Sequence, residues 1–214
     1  MGGCPSRAAL LLSRDNRSDR GHDAFEVPHH IGIGEADHVI AFVLEEAGAG
    51  GVRAGRQLKA VIPGGCSVPI QTMDEAEATL MDYEGFVAQG TMLGSGGVII
   101  FDDAQSMPRM IARLARFYAH ESCAQCTQCR EGTAWTTKIL ERIVAGQGTF
   151  EDLDTLLDLA ENMTGKTICV LSDSCAAPVV SGLQKFRHEF EALITGKRTS
   201  TVAVGGTTAA AVGA

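Results

Sequence analysis

Residues 114–133 read LARFYAHESCAQCTQCREGT, an apolar stripe at helical spacing that runs into three cysteines two residues apart. Upstream, Met107, Met110, Ile111, Leu114, Phe117 and Tyr118 recur at three- and four-residue intervals. With Ser106 as N-cap and Pro108 tolerated in the first turn, they predict one helix. Downstream, Trp135, Ile139, Leu140, Ile143 and Val144 predict a second, stopped near Gly146 and Gly148. Thr149 caps a third, whose first turn sets Glu151 and Asp152 against the positive helix end and whose core face is Leu153, Leu156, Leu157 and Ala160. Val179, Leu183, Phe186, Phe190 and Leu193 mark a fourth. Four amphipathic helices on short connections predict a bundle with cysteines in its loops.

Ahead of residue 104 the texture differs. Short apolar runs are broken by Gly and Pro: Phe25–Val27, Leu58–Ile62 before Pro63-Gly64-Gly65, and Gly97–Phe101 read as strands. Val39, Ile40, Val43 and Leu44 suit a helix over Ala36–Ala47. The expectation is an α+β chain, with a small mixed unit at 25–103 and a helical unit at 104–196. The leader 1–24 has neither helix nor strand period, and 197–214 is low-complexity Thr, Gly, Ala and Val; both read as poorly ordered.

A hydrophobic content of 45% over 214 residues is that of a folding sequence. No apolar run is long enough for a bilayer span, and Ala8–Leu12 is too short for a secretory signal core, so a soluble, cytosolic chain is expected. The formal charge of -8 argues against nucleic acid as a partner. Seven cysteines, an odd count without an export signal, point away from a disulfide framework and toward metal or redox chemistry.

Cys123, Cys126 and Cys129 place three thiolates within one turn of loop, the spacing that wraps corners of a cubane iron–sulfur cluster. The fourth ligand must come from elsewhere, because Arg130-Glu131-Gly132 follows the triplet. Cys169 stands forty residues beyond Cys129, after the third helix; Cys175, six residues further on, competes for the role, although Asp173 and Ser174 suit a helix start there. Zinc is the rival reading, a structural or docking module without redox work, but structural zinc sites use two separated ligand pairs. Arg130, next to Cys129, is positioned to offset cluster charge. Cys4 and Cys66 are isolated and read as bystanders.

The glycines do not make a nucleotide site. Gly94-Ser95-Gly96-Gly97 precedes a strand and reads as a turn, and after Gly32-Ile33-Gly34 the third fingerprint glycine is replaced by Asp37. His29-His30 lacks companion ligands, and His120 suits the dipole at the end of the first helix.

With these residues in hand, Phe25 to Ile194 resembles the C-terminal half of the flavoprotein subunit of NADH:quinone oxidoreductase (respiratory complex I), and the diaphorase subunits of NAD-linked hydrogenases and formate dehydrogenases are similar. The match is carried by LKAVIPGGCSVP from Leu58, MDY from Met81, GTMLGSGGVIIFD from Gly90, LARFYAHESCAQCTQCREGT from Leu114, GKTIC from Gly165 and FRHEFEALI from Phe186. The resemblance implies a β-grasp-like, soluble-ligand-binding fold near 25–103. A four-helix domain would then hold a [4Fe-4S] cluster on Cys123, Cys126, Cys129 and Cys169, relaying electrons from FMN. It implies FMN and NAD(H) in the full-length parent only, and partners among the NADH dehydrogenase module, including a [2Fe-2S] thioredoxin-like protein. It further implies a cytoplasmic place peripheral to the membrane and no catalytic residue in this chain. The family's N-terminal half, with its FMN and NADH segments, has no counterpart, so a fragment, truncated gene or shifted reading frame that does not oxidise NADH alone is expected. Gln128 stands where the family has Pro, and Cys66 and Cys175 replace small residues.

Overall fold

The computed structural model describes residues 52, 53 and 55–196, with Val39 and two short strands, β1 (Ala9–Leu10) and β2 (Phe25–Glu26), that pair antiparallel. The helix expected at 36–47, apart from the buried Val39, lies outside the described residues, as do Cys4, the His29-His30 pair, the Gly32–Gly34 turn and the tail 197–214.

Three further strands, β3 (Leu58–Ile62), β4 (Gln71–Thr72) and β5 (Ile99–Asp102), form an antiparallel sheet in the order β4-β3-β5. Its apolar runs are continuous because both faces are covered. Ala60, Ile62 and Phe101 face the helices, whereas Leu58, Val61 and Ile100 pack with Ala76, Phe86 and Val98 on the far side. Leu58 and Val61 share a face despite their odd spacing because a register shift between Leu58 and Ala60 reverses the alternation.

Two short helices escape a reading by periodicity, α1 (Met73–Ala78) and α2 (Tyr83–Ala88). Each has about one and a half turns and only one buried residue, Ala76 or Phe86, too little for a periodic signal. Caps define them instead. Thr72 and Glu75 form a capping box, and Asp82 accepts from the Gly85 N–H at 2.6 Å.

The glycine clusters allow two loops to pack backbone on backbone. A Cβ at Gly64 would overlap the Met92 and Leu93 carbonyls, one at Gly94 would overlap the Gly64 carbonyl, and Gly65 N–H donates to Gly97 O at 2.6 Å. Gly94 also holds a φ of 53°, so the turn expected there is found.

The helical part comprises α3 (Met107–Glu121), α4 (Thr127–Val144), α5 (Phe150–Met163), α6 (Leu171–Lys185) and α7 (Arg187–Ile194). The first and third fall where the periodicity predicts, and α5 starts with the Thr149–Asp152 capping box; α4 begins at Thr127, two turns before the apolar stripe from Trp135, so Cys129 lies in a helix and not in a loop as expected. The fourth expected helix is two. The chain breaks at Phe186, whose φ of -122° and ψ of 26° end α6 and begin α7, while Leu183, Phe186 and Phe190 still enter one core and so hide the break from a spacing argument. This α6 also starts earlier than expected, at Leu171, and runs through Pro178; burial of Ala176, Pro178, Val179 and Leu183 outweighs the local cost of proline. Phe117 and Trp135, counted in apolar stripes, are half exposed. The first half of α4 instead turns Gly132, Thr133, Thr136 and Thr137 inward, and a Cβ at Gly132 would overlap Met163 Sδ.

Sheet and helices share a core that joins Ala60, Ile62, Val68, Ile70 and Phe101 to Met107, Ile111, Val179, Leu183 and Phe190. Polar groups pin the same seam. Ile70 N–H donates to Ser181 Oγ at 3.0 Å, and Lys185 Nζ donates to Ile70 O and to Glu75 Oε2, both at 2.6 Å. Ser106 stands at the N-cap of α3, but its hydroxyl makes no capping bond; Glu189 Oε2, reaching over from α7, accepts from the Met107 N–H at 3.0 Å. Glu189 Oε1 meets Lys59 Nζ at 2.5 Å, and Lys59 also donates to Gln105 O at 2.7 Å. The expectation of an α+β fold holds.

Candidate metal centre

The cysteines lie at the end of the bundle where α3 passes into α4. Ser122 ends α3 with extended backbone, and Ala124 enters the left-handed region with a φ of 64°, a conformation few non-glycine residues adopt. Two side chains hold it there. Ala124 N–H donates to Ser122 Oγ at 3.3 Å, and Arg130 Nη1 donates to Ala124 O at 2.9 Å. Cys126 then forms the N-cap of α4, so Cys126 and Cys129 flank a positive helix end that favours anionic sulfur. Cys123 is exposed, Cys126 half-buried and Cys129 buried.

The expectation for Arg130 changes in kind. Its guanidinium bonds to Ala124 O and to Glu131 Oε1 at 2.8 Å, so it clamps the ligand loop and already has a carboxylate partner. His120 Nδ1 lies 2.9 Å from Glu121 Oε1, fully on the surface.

Residues 164–170, between α5 and α6, carry Cys169. Gly165 has a φ of 69°, and its N–H donates to Asp173 Oδ1 at 2.9 Å, which folds the loop back on the start of α6. Thr167 Oγ1 donates to Cys169 O at 2.8 Å and lies 2.6 Å from the buried Ser172 hydroxyl. Ile168 N–H then reaches Cys126 Sγ at 3.4 Å. That contact brings the loop of Cys169 onto the loop of the other three thiols, while the Cys169 side chain itself remains exposed.

Cys175 is different. It is fully buried inside α6 within the main core, and burial, with the nearby charge of Cys129 as a second cause, pushes its thiol up to about 12. Cys66 Sγ lies 3.1 Å from the Tyr118 hydroxyl, and burial foremost, then this bond, raises the phenol well above its ordinary range. Cys66 is therefore a packed thiol at the seam between sheet and bundle.

The donor set fits a multi-iron cluster. Among the described residues no three His, Cys, Asp or Glu side chains converge on a point that one metal ion could occupy. A cubane asks for no such convergence, because each of its four thiolates binds a different iron. Spacing alone does not reveal Ser122, whose Oγ lies 3.3 Å from Cys129 Sγ, or the Ile168 amide. A hydroxyl immediately before the first cysteine is the one signal that pointed there.

Residues 109–193 match the family described as the NADH-ubiquinone oxidoreductase-F iron-sulfur binding region. The C-terminal part of the chain aligns with proteins named as the F subunit of NADH-quinone oxidoreductase. The Mycobacterium tuberculosis protein is 47% identical over 148 residues, covering 69% of this chain and 33% of the relative. The Rickettsia bellii protein is 44% identical over 192 residues, covering 87% and 46%. The chain thus spans between a third and a half of the length of these relatives. Among solved structures it is similar to an NAD+-reducing [NiFe]-hydrogenase in the H2-reduced state, with a TM-score of 0.58 and 32% identity over 64% of this chain and 23% of that one. The resemblance drawn from the motifs stands. No helix among the described residues is long and apolar enough to cross a membrane.

Proposed function

We propose that the chain is the iron–sulfur electron-transfer portion of an NADH-oxidising flavoprotein, with a [4Fe-4S] cluster held by Cys123, Cys126, Cys129 and Cys169. When bound, such a cluster supplies one-electron transfer. The single observation that carries the reading is the Ile168 N–H to Cys126 Sγ contact, which joins the distal cysteine's loop to the triple-cysteine loop. The packed position of Cys175 in α6 supports Cys169 as the fourth ligand.

In this reading the region 25–103 is a β-grasp-like unit and 104–196 the cluster-holding helical domain. Electrons arrive from FMN reduced by NADH in the full-length parent. They leave toward further iron–sulfur centres of partners in the NADH dehydrogenase module, a [2Fe-2S] thioredoxin-like protein among them. The assembly sits on the cytoplasmic side, peripheral to the membrane through those partners. This chain's own residues bind and orient the cluster, and the bundle behind Cys129 shields it on one side.

Metal and sulfide analysis of the full chain after anaerobic purification or reconstitution tests this. Iron with acid-labile sulfide in about equal amounts, near four of each per chain, is expected. Zinc without sulfide would replace the proposal with a structural module.

A further inference from the structure

Ser122 stands between two groups that together fix the direction of its hydroxyl. Its Oγ accepts the Ala124 N–H at 3.3 Å and lies 3.3 Å from Cys129 Sγ. A cysteine that ligates iron is a thiolate and carries no proton, so the sulfur can only accept. The amide already supplies a proton to one side of the oxygen, which leaves the hydroxyl's own proton free for the sulfur. Cys129 is the buried member of the triplet, where a donor is least replaceable by water.

Building on the cluster assignment above, we propose that Ser122 is a tuning and positioning residue that donates its hydroxyl proton to Cys129 Sγ and thereby raises the cluster's reduction potential. In the redox step one electron enters from the reductant and no bond to the protein forms or breaks. The added negative charge spreads over the sulfurs, so a donor to sulfur stabilises the reduced state more than the oxidised one. Ile168 N–H does the same for Cys126 from the other loop, but as a backbone group it survives any side-chain exchange. Arg130 contributes indirectly: by holding Ala124 O it keeps the left-handed turn that aims Ala124 N–H at Ser122.

The experiment is a dithionite titration of the full chain followed by EPR, comparing wild type, Ser122→Ala and Ser122→Thr. Ser122→Ala should shift the midpoint to lower potential, by about tenfold in the reduction equilibrium, or roughly 59 mV for one electron. Ser122→Thr keeps the hydroxyl and should restore the wild-type value. An unchanged midpoint in Ser122→Ala, with a normal cluster spectrum, would overturn the proposal and leave Ser122 as a loop support. Should Ser122→Ala load no cluster, the wild-type chain still decides. Electron–nuclear spectroscopy of its reduced cluster, freshly mixed into D2O, should find a rapidly exchanged deuteron coupled to the spin, and its absence would contradict hydroxyl donation. A wild-type chain without any iron–sulfur signal would instead defeat the cluster assignment.

Discussion

At the sheet end of the helical bundle, polar groups at the seam are answered by the chain's own residues: Ile70 by Ser181 and Lys185, Lys59 by Glu189, and the N-terminus of α3 by the same Glu189. At the cysteine end, Cys123 and Cys169 are exposed, and Ile168 and Val170 beside Cys169 are 85% and 73% accessible. Both ends use loops fastened by side chain to backbone bonds. The first is largely closed by protein, Gln71 Oε1 being a buried oxygen there without a hydrogen-bond donor. The cysteine end carries thiols and apolar side chains facing outward, where the proposed cluster would bind. Stability of the fold should therefore reside in the seam, and function in the cysteine end.

The largest effect is expected at Glu189. Glu189→Ala leaves the Met107 N–H without its acceptor and the Lys59 ammonium with only the Gln105 carbonyl at a largely buried site, and removing one member of such a pair costs about 3 kcal/mol. Denaturant melting should show it, while iron bound per folded chain stays at the wild-type level; a parallel loss of iron at temperatures where the variant is folded would show that the two ends are coupled. A smaller and local effect is expected when iron is chelated. Amide exchange should quicken at 122–130 and 164–170, with 58–62 and 99–102 as slow as before, and a global loss of protection would break the division into two ends.

The smallest concerns Asp152, in the first turn of α5. Burial opposes its ionisation, but the Arg142 guanidinium and the Thr149 N–H outweigh that and hold its carboxyl below the ordinary carboxylate range. Because the folded-state value is depressed, this contribution is complete above the unfolded value near pH 4 and is lost as pH falls through the folded one. Asp152→Asn should therefore cost about 1 kcal/mol at pH 7, the scale of a helix cap, and melt at nearly the same point as wild type in strong acid. An equal gap at every pH would mean that packing, not charge, is what Asp152 supplies.

Long periodic segments were legible because their signal repeats: α3, α5 and the second half of α4 follow from spacing, and β3 follows from an apolar run closed by Pro63. What escaped depends on contacts between distant residues. The split at Phe186 is invisible to periodicity because core residues continue on both sides of it, and the cap of α3 comes from Glu189, 82 residues away. Half-exposed Trp135 was misread because Gly132, Thr133 and Thr136, small and polar, form the inward face that lets Met163 approach. Of the proposed ligands, the triplet is named by spacing and Cys169 by resemblance, whereas Ser122 is signalled only by a hydroxyl beside Cys123, and the Ile168 amide depends on loop geometry that no residue type announces.

The cluster assignment rests most directly on which distal thiol completes it, and EPR of the dithionite-reduced chain with Cys169→Ser and Cys175→Ser measures that. Cys169 lies on the loop that bonds to Cys126 Sγ, and Cys175 lies in the core of α6. Iron content and the reduced spectrum should be disturbed in Cys169→Ser and essentially unchanged in Cys175→Ser. The reverse pattern would contradict the assignment and move the fourth ligand into the bundle.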